Sequence, residues 1–289
     1  SLIPKNAYFT KCNINDEEII SKLIQSNKFD VLMHFAGFIQ VEESVKYPKK
    51  YFENNTENAT KLFETCKSNG LNKIVFSSTA AAYGSVSENK LIDENTNLNP
   101  QNPYAESKIK TENFLFENKD DYKFIILRYF NVAGADKKLR SGQISKRSTH
   151  LIKILSEVVV GKRDHIEIFG NDYNTPDGTA IRDYIHVSDL ADIHLEVAKY
   201  LLEGSESNLF NCGYGNGFSV LDVINTANKI SEDKIDYKFS NRRDGDVEQL
   251  IADTSKILKH IDWRPKYNDL SEIINSSIKW EEKINESNT

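Results

Sequence analysis

The residues with the clearest chemical potential in this sequence are Tyr104 and Lys108, which stand four positions apart. On a helix this spacing places both side chains on one face, one turn from each other. A lysine ammonium at that distance can stabilise a phenolate, so a tyrosine with an ordinary pKa of about 10 could act as a base nearer neutral pH. The spacing alone is a weak signal, and its context has to decide.

A run of hydroxyl side chains supplies that context. Ser77, Ser78 and Thr79 end an apolar run that is typical of a buried strand. Ligands of open α/β sheets bind beyond the carboxyl ends of the strands, so Thr79 would place its hydroxyl where Tyr104 and Lys108 could meet a substrate. Taken alone, such a hydroxyl is more typical of a turn. Together the three residues are candidates for catalysis.

The elements that must position these residues follow from the pattern of apolar positions. Short apolar runs predict strands at 30–36, 73–78 and 123–130, and three- and four-residue steps predict helices at 48–68 and 104–116. Strands that alternate with helices form right-handed βαβ units. The expected fold class is therefore α/β, with a doubly wound parallel sheet.

After residue 131 the sequence changes character. Residues 134–148 are polar and basic, as in a surface loop. Further elements are then predicted as a helix at 150–160, a strand at 166–169, a helix at 189–202, a strand at 209–212 and a helix at 270–280. They indicate a second, smaller α/β domain. We place the division at 131/132, with part of 181–212 packing back on the first domain.

Composition excludes several classes of protein. The 289 residues carry a formal net charge of −6, which gives no basic field for nucleic acid. No apolar run approaches the roughly 18 residues of a membrane span. The three cysteines, Cys12, Cys66 and Cys212, are scattered, which favours a reduced, cytoplasmic protein over a disulfide or metal site.

Ordered motifs run through almost the whole chain. They are His34–Gly37, Glu43–Val45, Asn54–Asn55, Ser77–Ala80, Tyr104–Lys108, Leu127–Ala135, Ile168–Tyr173, Asp177–Thr179, Arg182–Ala191 and Arg242–Asp246. With these motifs the sequence resembles the extended short-chain dehydrogenase/reductase family, and within it the enzymes that epimerise nucleotide sugars. The 4,6-dehydratases of that family carry an Asp-Glu pair after the strand-end threonine. Here Ala80 and Ala81 follow Thr79, which argues against that activity.

The resemblance implies an isomerase that uses NAD as its cofactor to epimerise C4 of a UDP-hexose, interconverting UDP-galactose and UDP-glucose. Tyr104 would take the proton of the sugar 4-hydroxyl while hydride passes from C4 to the nicotinamide, giving a 4-keto sugar that turns over and is reduced on its other face. Thr79 would hydrogen-bond the reacting oxygen. Lys108 would also hold the nicotinamide ribose.

The other binding residues are likewise implied by the resemblance. The implied cofactor-binding residues are Asn13, Ile14, Phe35, Ala36, Gly37, Asn54, Ser77, Ser78, Tyr104, Lys108 and Phe130. The implied substrate-binding residues are Thr79, Asn131, His150, Leu151, Phe169, Arg182, Arg243, Asp246 and Leu250. Within the second group the two arginines would grip the diphosphate, Phe169 the uracil and Asp246 the uridine ribose.

Several positions depart from the family pattern. The family begins with a strand, a glycine-rich turn and a helix that cradle the cofactor pyrophosphate, so roughly 40 residues of this kind are expected before Ser1. Asn13 replaces the usual Asp near adenine, and Cys12 a common Gly. Ile39 stands where some members have a basic residue. Leu250 occupies the position that, in the family, gates larger N-acetylated sugars, and it matches neither usual residue.

Three hypotheses about function therefore stay open. The first is the UDP-hexose 4-epimerase described above. The second is an epimerase for another UDP-sugar, such as an N-acetylhexosamine or a uronic acid, with Leu250 and the basic residues Lys137, Lys138 and Arg140 as its discriminators. The third is a cofactor-free remnant that binds nucleotide sugars without turnover. The family also implies a homodimer formed through the helices predicted at 48–68 and 104–116.

Overall fold

A computed structural model describes residues 3–85, 91–145, 148–231, 234–243 and 245–286. Its strands are β1 (Leu32–His34), β2 (Lys73–Thr79), β3 (Lys123–Tyr129), β4 (Asn131–Ala133), β5 (Ile166–Phe169), β6 (Ile181–His186), β7 (Asn208–Cys212), β8 (Gly217–Ser219), β9 (Tyr237–Ser240) and β10 (Gln249–Leu250). Its α-helices are α1 (Glu17–Ser26), α2 (Val41–Lys46), α3 (Pro48–Phe52), α4 (Asn58–Ser68), α5 (Pro103–Glu117), α6 (Leu151–Val159), α7 (Val187–Leu202), α8 (Val220–Ser231), α9 (Ser255–His260) and α10 (Leu270–Glu286).

The first sheet is parallel and has the strand order β1-β2-β3-β7. Successive side chains along its strands point into two different apolar cores. Phe76 and Ile126 pack with α4 and α5 on one face, whereas Val75 and Leu127 pack with residues of α7 on the other. Helices on both faces of a parallel sheet confirm the predicted doubly wound α/β class.

The second region is built on a smaller mixed sheet. Strands β10, β6 and β4 run parallel in that order, and β8 pairs with β6 in the antiparallel sense. A separate two-stranded parallel ribbon joins β5 to β9. Helices α6, α8 and α10 pack on one another and close this region.

The chain crosses between the two regions more than once. After β6, helix α7 leads back to β7, which lies within 181–212 and pairs with β3 at the edge of the first sheet. A single parallel bridge joins Ile92 to Ala252, and the buried Asn211 side chain donates to the Ile92 carbonyl at 2.8 Å. The two regions are thus connected by several strands and loops rather than by one linker.

Most of the predicted elements occur with small changes of boundary. The helix predicted at 48–68 is interrupted by a π-helical turn at Glu53–Glu57, which separates α3 from α4. The strand predicted at 30–36 is limited to β1. Helices α1, α2, α8 and α9 and strands β4, β8, β9 and β10 were not predicted. The strands, α2 and α9 are short, whereas α1 and α8 are amphipathic helices of 10 and 12 residues whose apolar spacing is present in the sequence.

Within the described part of the chain, no helix combines the length and the apolarity that crossing a bilayer requires.

Candidate active site

Tyr104, Lys108 and Thr79 meet where β2 ends and α5 begins. Thr79 is the last residue of β2, and Tyr104 lies in the first turn of α5. The Thr79 side chain lies close enough to the Tyr104 hydroxyl to act on its pKa. Lys108 is buried one turn further along α5, and its ammonium donates to the Ser77 carbonyl at 2.9 Å. The structure thus brings the three predicted catalytic residues together.

Local sequence signals fix both elements. The Asn102 side chain caps α5 by accepting from the Ala105 N–H at 2.9 Å, and Pro103 occupies the first helical position, where its missing N–H costs nothing. Thr79 in turn caps a 3₁₀ helix, Ala80–Tyr83, by accepting from the Ala81 N–H at 3.1 Å. The Thr79 hydroxyl therefore has a structural role as well as a position in the site.

The ionisation of Tyr104 and Lys108 differs from the sequence-based expectation. Burial raises the pKa of Tyr104, and the Thr79 side chain acts in the lowering direction. The Lys108 ammonium is bonded to a carbonyl, and burial lowers the pKa of Lys108 to about 8, with Glu112 opposing that change. In this structure the phenol is stabilised relative to the phenolate, because the partly buried Tyr104 has lost part of its hydration.

The backbone at Gly37 lies close to the Lys108 ammonium. A Cβ added at Gly37 would lie 3.2 Å from Lys108 Nζ and 3.3 Å from Asn55 Oδ1. The Asn55 amide lies in the π-helical turn, where it accepts from the Phe38 N–H and donates to the Phe38 carbonyl and to Ser107 Oγ. Such turns are frequent at functional sites, and here one holds the 37–38 segment against α5.

A cavity of about 920 Å³ opens in front of these residues. Except for Lys108, every position predicted for substrate or catalysis lines it: Thr79, Tyr104, Asn131, His150, Leu151, Phe169, Arg182, Arg243, Asp246 and Leu250. The predicted cofactor residues Ser78 and Phe130 line it as well. Residues far apart in the sequence thus share one wall, and the volume is ample for a nucleotide-sized ligand.

Two arginines and an aromatic ring form one end of this cavity. Arg243 donates to both carboxylate oxygens of Asp246, at 2.9 and 3.2 Å, and its guanidinium lies 4.5 Å from the centre of the Phe169 ring. Arg182 donates to the Ile181 carbonyl at 2.9 Å, and burial lowers its pKa below the ordinary range. Guanidinium groups can bind the phosphates of a nucleotide, and the neighbouring aromatic ring can stack on its base. Asp244, which lies between Arg243 and Asp246 in the sequence, is outside the described residues.

A second, more open cavity of about 570 Å³ lies beside β1. Asn13, Ile14, Ala36, Gly37 and Asn54, all predicted to bind the cofactor, line it together with Lys11, Cys12 and Phe38. Three further predicted cofactor residues line neither cavity. Ser77 and Lys108 are buried behind the strand end, and the Phe35 ring packs 4.8 Å from the His194 ring.

Sequence reasoning missed a charged group on the cavity wall. Lys153 and Glu281 both line the larger cavity, are almost fully buried and form an ion pair between α6 and α10. Glu157 contacts Lys153 at 3.3 Å, and Lys162 contacts Glu281 at 2.8 Å. A lysine inside the apolar segment that follows His150, with a glutamate four residues later, was the available signal.

Known proteins resemble the chain over nearly its whole length. The family model described as GDP-mannose 4,6 dehydratase matches residues 2–276. A UDP-glucose 4-epimerase from Azospirillum brasilense is 43% identical over 287 residues, which is 99% of this chain and 82% of the relative. A UDP-Glc/GlcNAc 4-epimerase from Campylobacter jejuni has a solved structure with 44% identity and a TM-score of 0.82, covering 96% and 85% of the two chains. The UDP-glucose 4-epimerase from Bifidobacterium longum, solved with NAD+ and UDP, gives 34% identity, a TM-score of 0.89 and coverage of 95% and 82%.

The doubly wound sheet, the Tyr104–Lys108 pair at its strand ends and these matches define an extended short-chain dehydrogenase/reductase. Within that class the chain belongs to the UDP-glucose 4-epimerase family. The dehydratase description attaches to the broad family model, whereas the strand end of this chain has Ala80 and Ala81 in place of the expected carboxylates.

Proposed function

We propose that this protein is an isomerase that inverts C4 of a UDP-hexose, interconverting UDP-galactose and UDP-glucose, with NAD as its cofactor. The observation that carries the proposal is that Thr79 and Tyr104 line one cavity together with Arg182 and Arg243, while Lys108 is buried one helical turn beyond Tyr104. Relatives of 36–43% identity over most of the chain are UDP-glucose 4-epimerases.

The residues present fit the cofactor. Asn13 offers an amide at the smaller cavity, where its side chain can hydrogen-bond a base, and Gly37 leaves room for a close approach beside Lys108. Asn54 extends the same surface, and Lys108 presents a cation near the strand end, where it would bind ribose hydroxyls. When bound, NAD supplies reversible removal of the C4 hydrogen as hydride.

The chain's own residues then handle the proton. Tyr104 takes the proton of the sugar 4-hydroxyl as the C4–H bond breaks, and it returns the proton to the same oxygen after the 4-keto sugar has presented its other face. Thr79 holds that oxygen beside Tyr104. Tyr104 has to be a phenolate before it can accept this proton, and the ammonium of Lys108 stabilises that phenolate, which burial alone disfavours.

Binding of the nucleotide is assigned to the far end of the cavity. Arg182 and Arg243 supply two guanidinium groups for the diphosphate, and Phe169 offers a ring face to the uracil. In the structure the Arg243 guanidinium forms an ion pair with Asp246. We infer that this pair opens when the diphosphate binds, which frees the Asp246 carboxylate for the uridine ribose.

A second substrate class has a specific observation in its favour. Leu250 is almost fully buried in the cavity wall, and the 44% identical relative from Campylobacter jejuni is named a UDP-Glc/GlcNAc 4-epimerase. Epimerisation of UDP-N-acetylhexosamines is therefore the alternative, and the same assay with UDP-N-acetylglucosamine decides between a hexose-specific and a dual-specificity enzyme.

The direct test is to incubate the protein with NAD and UDP-galactose and to measure the UDP-glucose formed. We expect Tyr104→Phe to lose about 10²- to 10⁴-fold in kcat, since it removes the group that transfers the proton. Tyr8→Phe is the matched control, because Tyr8 is fully exposed and should leave kcat unchanged. Equal turnover by Tyr104→Phe and the unmodified protein would refute the assignment of Tyr104.

We further propose a homodimer and a cytoplasmic location. Helices α3 and α5 pack side by side, and Phe116 on α5 is about half exposed, which supports a dimer contact along these helices. Light scattering would measure the mass. The three cysteines are free, which supports a reducing compartment.

A further inference from the structure

Glu112 lies on the helix face that already carries the two catalytic residues of α5. Tyr104, Lys108 and Glu112 follow each other at four-residue intervals. The Glu112 carboxylate is 1% exposed. It accepts from Arg128 Nε at 3.0 Å, from Arg128 Nη2 at 2.5 Å and from the Ser78 hydroxyl. A carboxylate with this many donors is held in one position.

These contacts make Glu112 one of three links between β2 and α5. Ser77 accepts from the Lys108 ammonium through its carbonyl, and the Thr79 side chain lies close enough to Tyr104 to act on its pKa. Ser78, between them, donates to Glu112. Each of the last three residues of β2 therefore faces a different turn of α5, and the link through Glu112 is the one that involves no residue assigned to proton transfer.

The surroundings of Lys108 contain few charges. Among the described residues, Glu112 from α5 and His34 from β1 act electrostatically with it, Arg128 from β3 lies beyond Glu112, and Tyr104 lies one turn before it on α5. Burial lowers the pKa of His34 to about 3, so that ring is neutral at physiological pH. The negative charge that favours the ammonium is thus that of Glu112, and Arg128 is the neighbouring positive charge.

We propose that Glu112, clamped by Arg128 and Ser78, is a positioning residue that keeps Lys108 in its ammonium form and fixes the end of β2 against α5. This inference rests on the proposed function, in which the Lys108 charge supports the phenolate of Tyr104. Arg128 makes the buried carboxylate tolerable, since an unpaired one would be costly. Arg128 is itself held 4.9 Å from the centre of the Tyr83 ring.

The decisive property is the protonation of Lys108, which can be followed without substrate or cofactor. In protein with ¹³C-labelled lysine, the Lys108 Cε resonance is assigned by its absence in Lys108→Arg and titrated with pH. We expect Glu112→Gln to lower the midpoint by about one pH unit or more, because it removes the anion and leaves Arg128 unneutralised. Arg128→Met, which leaves the anion unneutralised, should raise it.

Opposite signs separate this electrostatic role from a merely structural one. If Glu112 only braced the fold, its loss would loosen the site and admit water, and the midpoint would rise toward the ordinary lysine value in both variants. A rise, or no change, in Glu112→Gln therefore overturns the proposal. If Glu112→Gln does not fold, Arg128→Met remains informative, since a fall or no change there also overturns it. Glu106→Gln, an exposed carboxylate on the same helix, is the matched control and should leave the midpoint unchanged.

Turnover supplies an independent measurement. In the UDP-galactose assay, the high-pH limb of kcat should move to lower pH in Glu112→Gln by the same interval as the resonance. If no variant and no unmodified protein turns over, the proposed function fails, while the titration of Lys108 still decides the role of Glu112. If turnover is normal and its high-pH limb does not move, the coupling to catalysis is refuted.

Discussion

At the scale of the residue, the ammonium of Lys108 illustrates how a functional group is kept at a cost in stability. Lys108 is 3% exposed and has one carbonyl partner at 2.9 Å. A cation taken out of water loses hydration that a single hydrogen bond does not replace. The folded chain therefore binds the Lys108 proton less tightly than the unfolded chain does, and the pKa of Lys108 falls to about 8.

We expect Lys108→Met to stabilise the protein at pH 7, by about 1 to 2 kcal/mol, while it abolishes turnover. Between pH 8 and the ordinary lysine value, the unfolded wild-type chain retains a proton that the folded chain has lost, so wild-type stability rises with pH in this window. The advantage of Lys108→Met should accordingly shrink above pH 8. Urea denaturation at pH 7 and pH 9.5, without cofactor, measures both effects.

Lys119→Met is the matched control for this prediction, because Lys119 is exposed. It should show little difference from wild type at either pH. Two results would contradict this prediction: a Lys108→Met protein that is less stable than wild type at pH 7, or a stability gain that does not change with pH. Either would show that the buried charge of Lys108 does not destabilise the folded state.

Most residues of the site could be named from the sequence, but contacts between them could be predicted only where the two residues are near in the chain. The Tyr104–Lys108 spacing and the run of hydroxyl residues that ends at Thr79 are set within a few residues, so both could be recognised from the sequence. The stacking of Arg243 on Phe169 joins β5 to a segment more than seventy positions later. The Lys153–Glu281 ion pair joins α6 to α10 over a longer separation. Such pairs depend on packing that no periodicity encodes.

At the scale of the element, the turn after β2 depends on one glycine. Gly84 follows the 3₁₀ helix with φ +60°, and a Cβ added there would lie 1.9 Å from the Asn99 carbonyl oxygen. The Asn99 N–H in turn donates to the Ala82 carbonyl at 3.0 Å. The turn that positions Thr79 is thereby fixed against the loop that contains Asn99. A side chain at Gly84 would clash with the backbone of that loop.

We therefore expect Gly84→Ala to reduce the free energy of unfolding by more than about 2 kcal/mol. Gly70→Ala is the control, since Gly70 also has positive φ, at +85°, but no atom lies within 4 Å of its added Cβ. That change should cost only about 1 kcal/mol, the conformational term alone. Thermal or urea denaturation of the two variants compares them directly, and equal losses would mean that the Asn99 contact is unimportant.

The interruption of the helix predicted at 48–68 is a feature that the apolar spacing did not predict. The apolar steps of this segment indicate one helix, and the backbone does stay helical from α3 through α4. The π-helical turn at Glu53–Glu57 arises because Asn55 bonds to both Phe38 and Ser107. These tertiary contacts override the local pattern, so the turn that brings Asn54 to the smaller cavity was not predictable from spacing.

At the scale of the whole molecule, the first sheet is completed by a strand from the second half of the chain. Strand β7 pairs with β3, and α7 covers the face that contains Val75 and Leu127. A fragment of residues 1–131 lacks both elements. We expect that fragment to show no cooperative urea transition, because one face of its sheet would be open to water.

Circular dichroism and urea denaturation of the fragment, next to the full chain, test this expectation. A longer fragment, 1–212, restores α7 and β7 but not the bridge from Ile92 to Ala252, and should recover only part of the cooperativity. A sharp transition in the 1–131 fragment would instead show that the division at 131/132 separates independent folding units.

The packing of α10 against the loop after β4 gives the molecule a built-in optical reporter. The chain has two tryptophans, and Trp263 is buried in the main core, away from both cavities. The Trp280 ring lies flat against Gly142, its Nε1 donates to the Gln143 carbonyl at 3.1 Å, and both Trp280 and Gln143 line the larger cavity. With Trp263 replaced by phenylalanine, the remaining indole emission would register a nucleotide sugar entering the cavity, with no label attached and no turnover required.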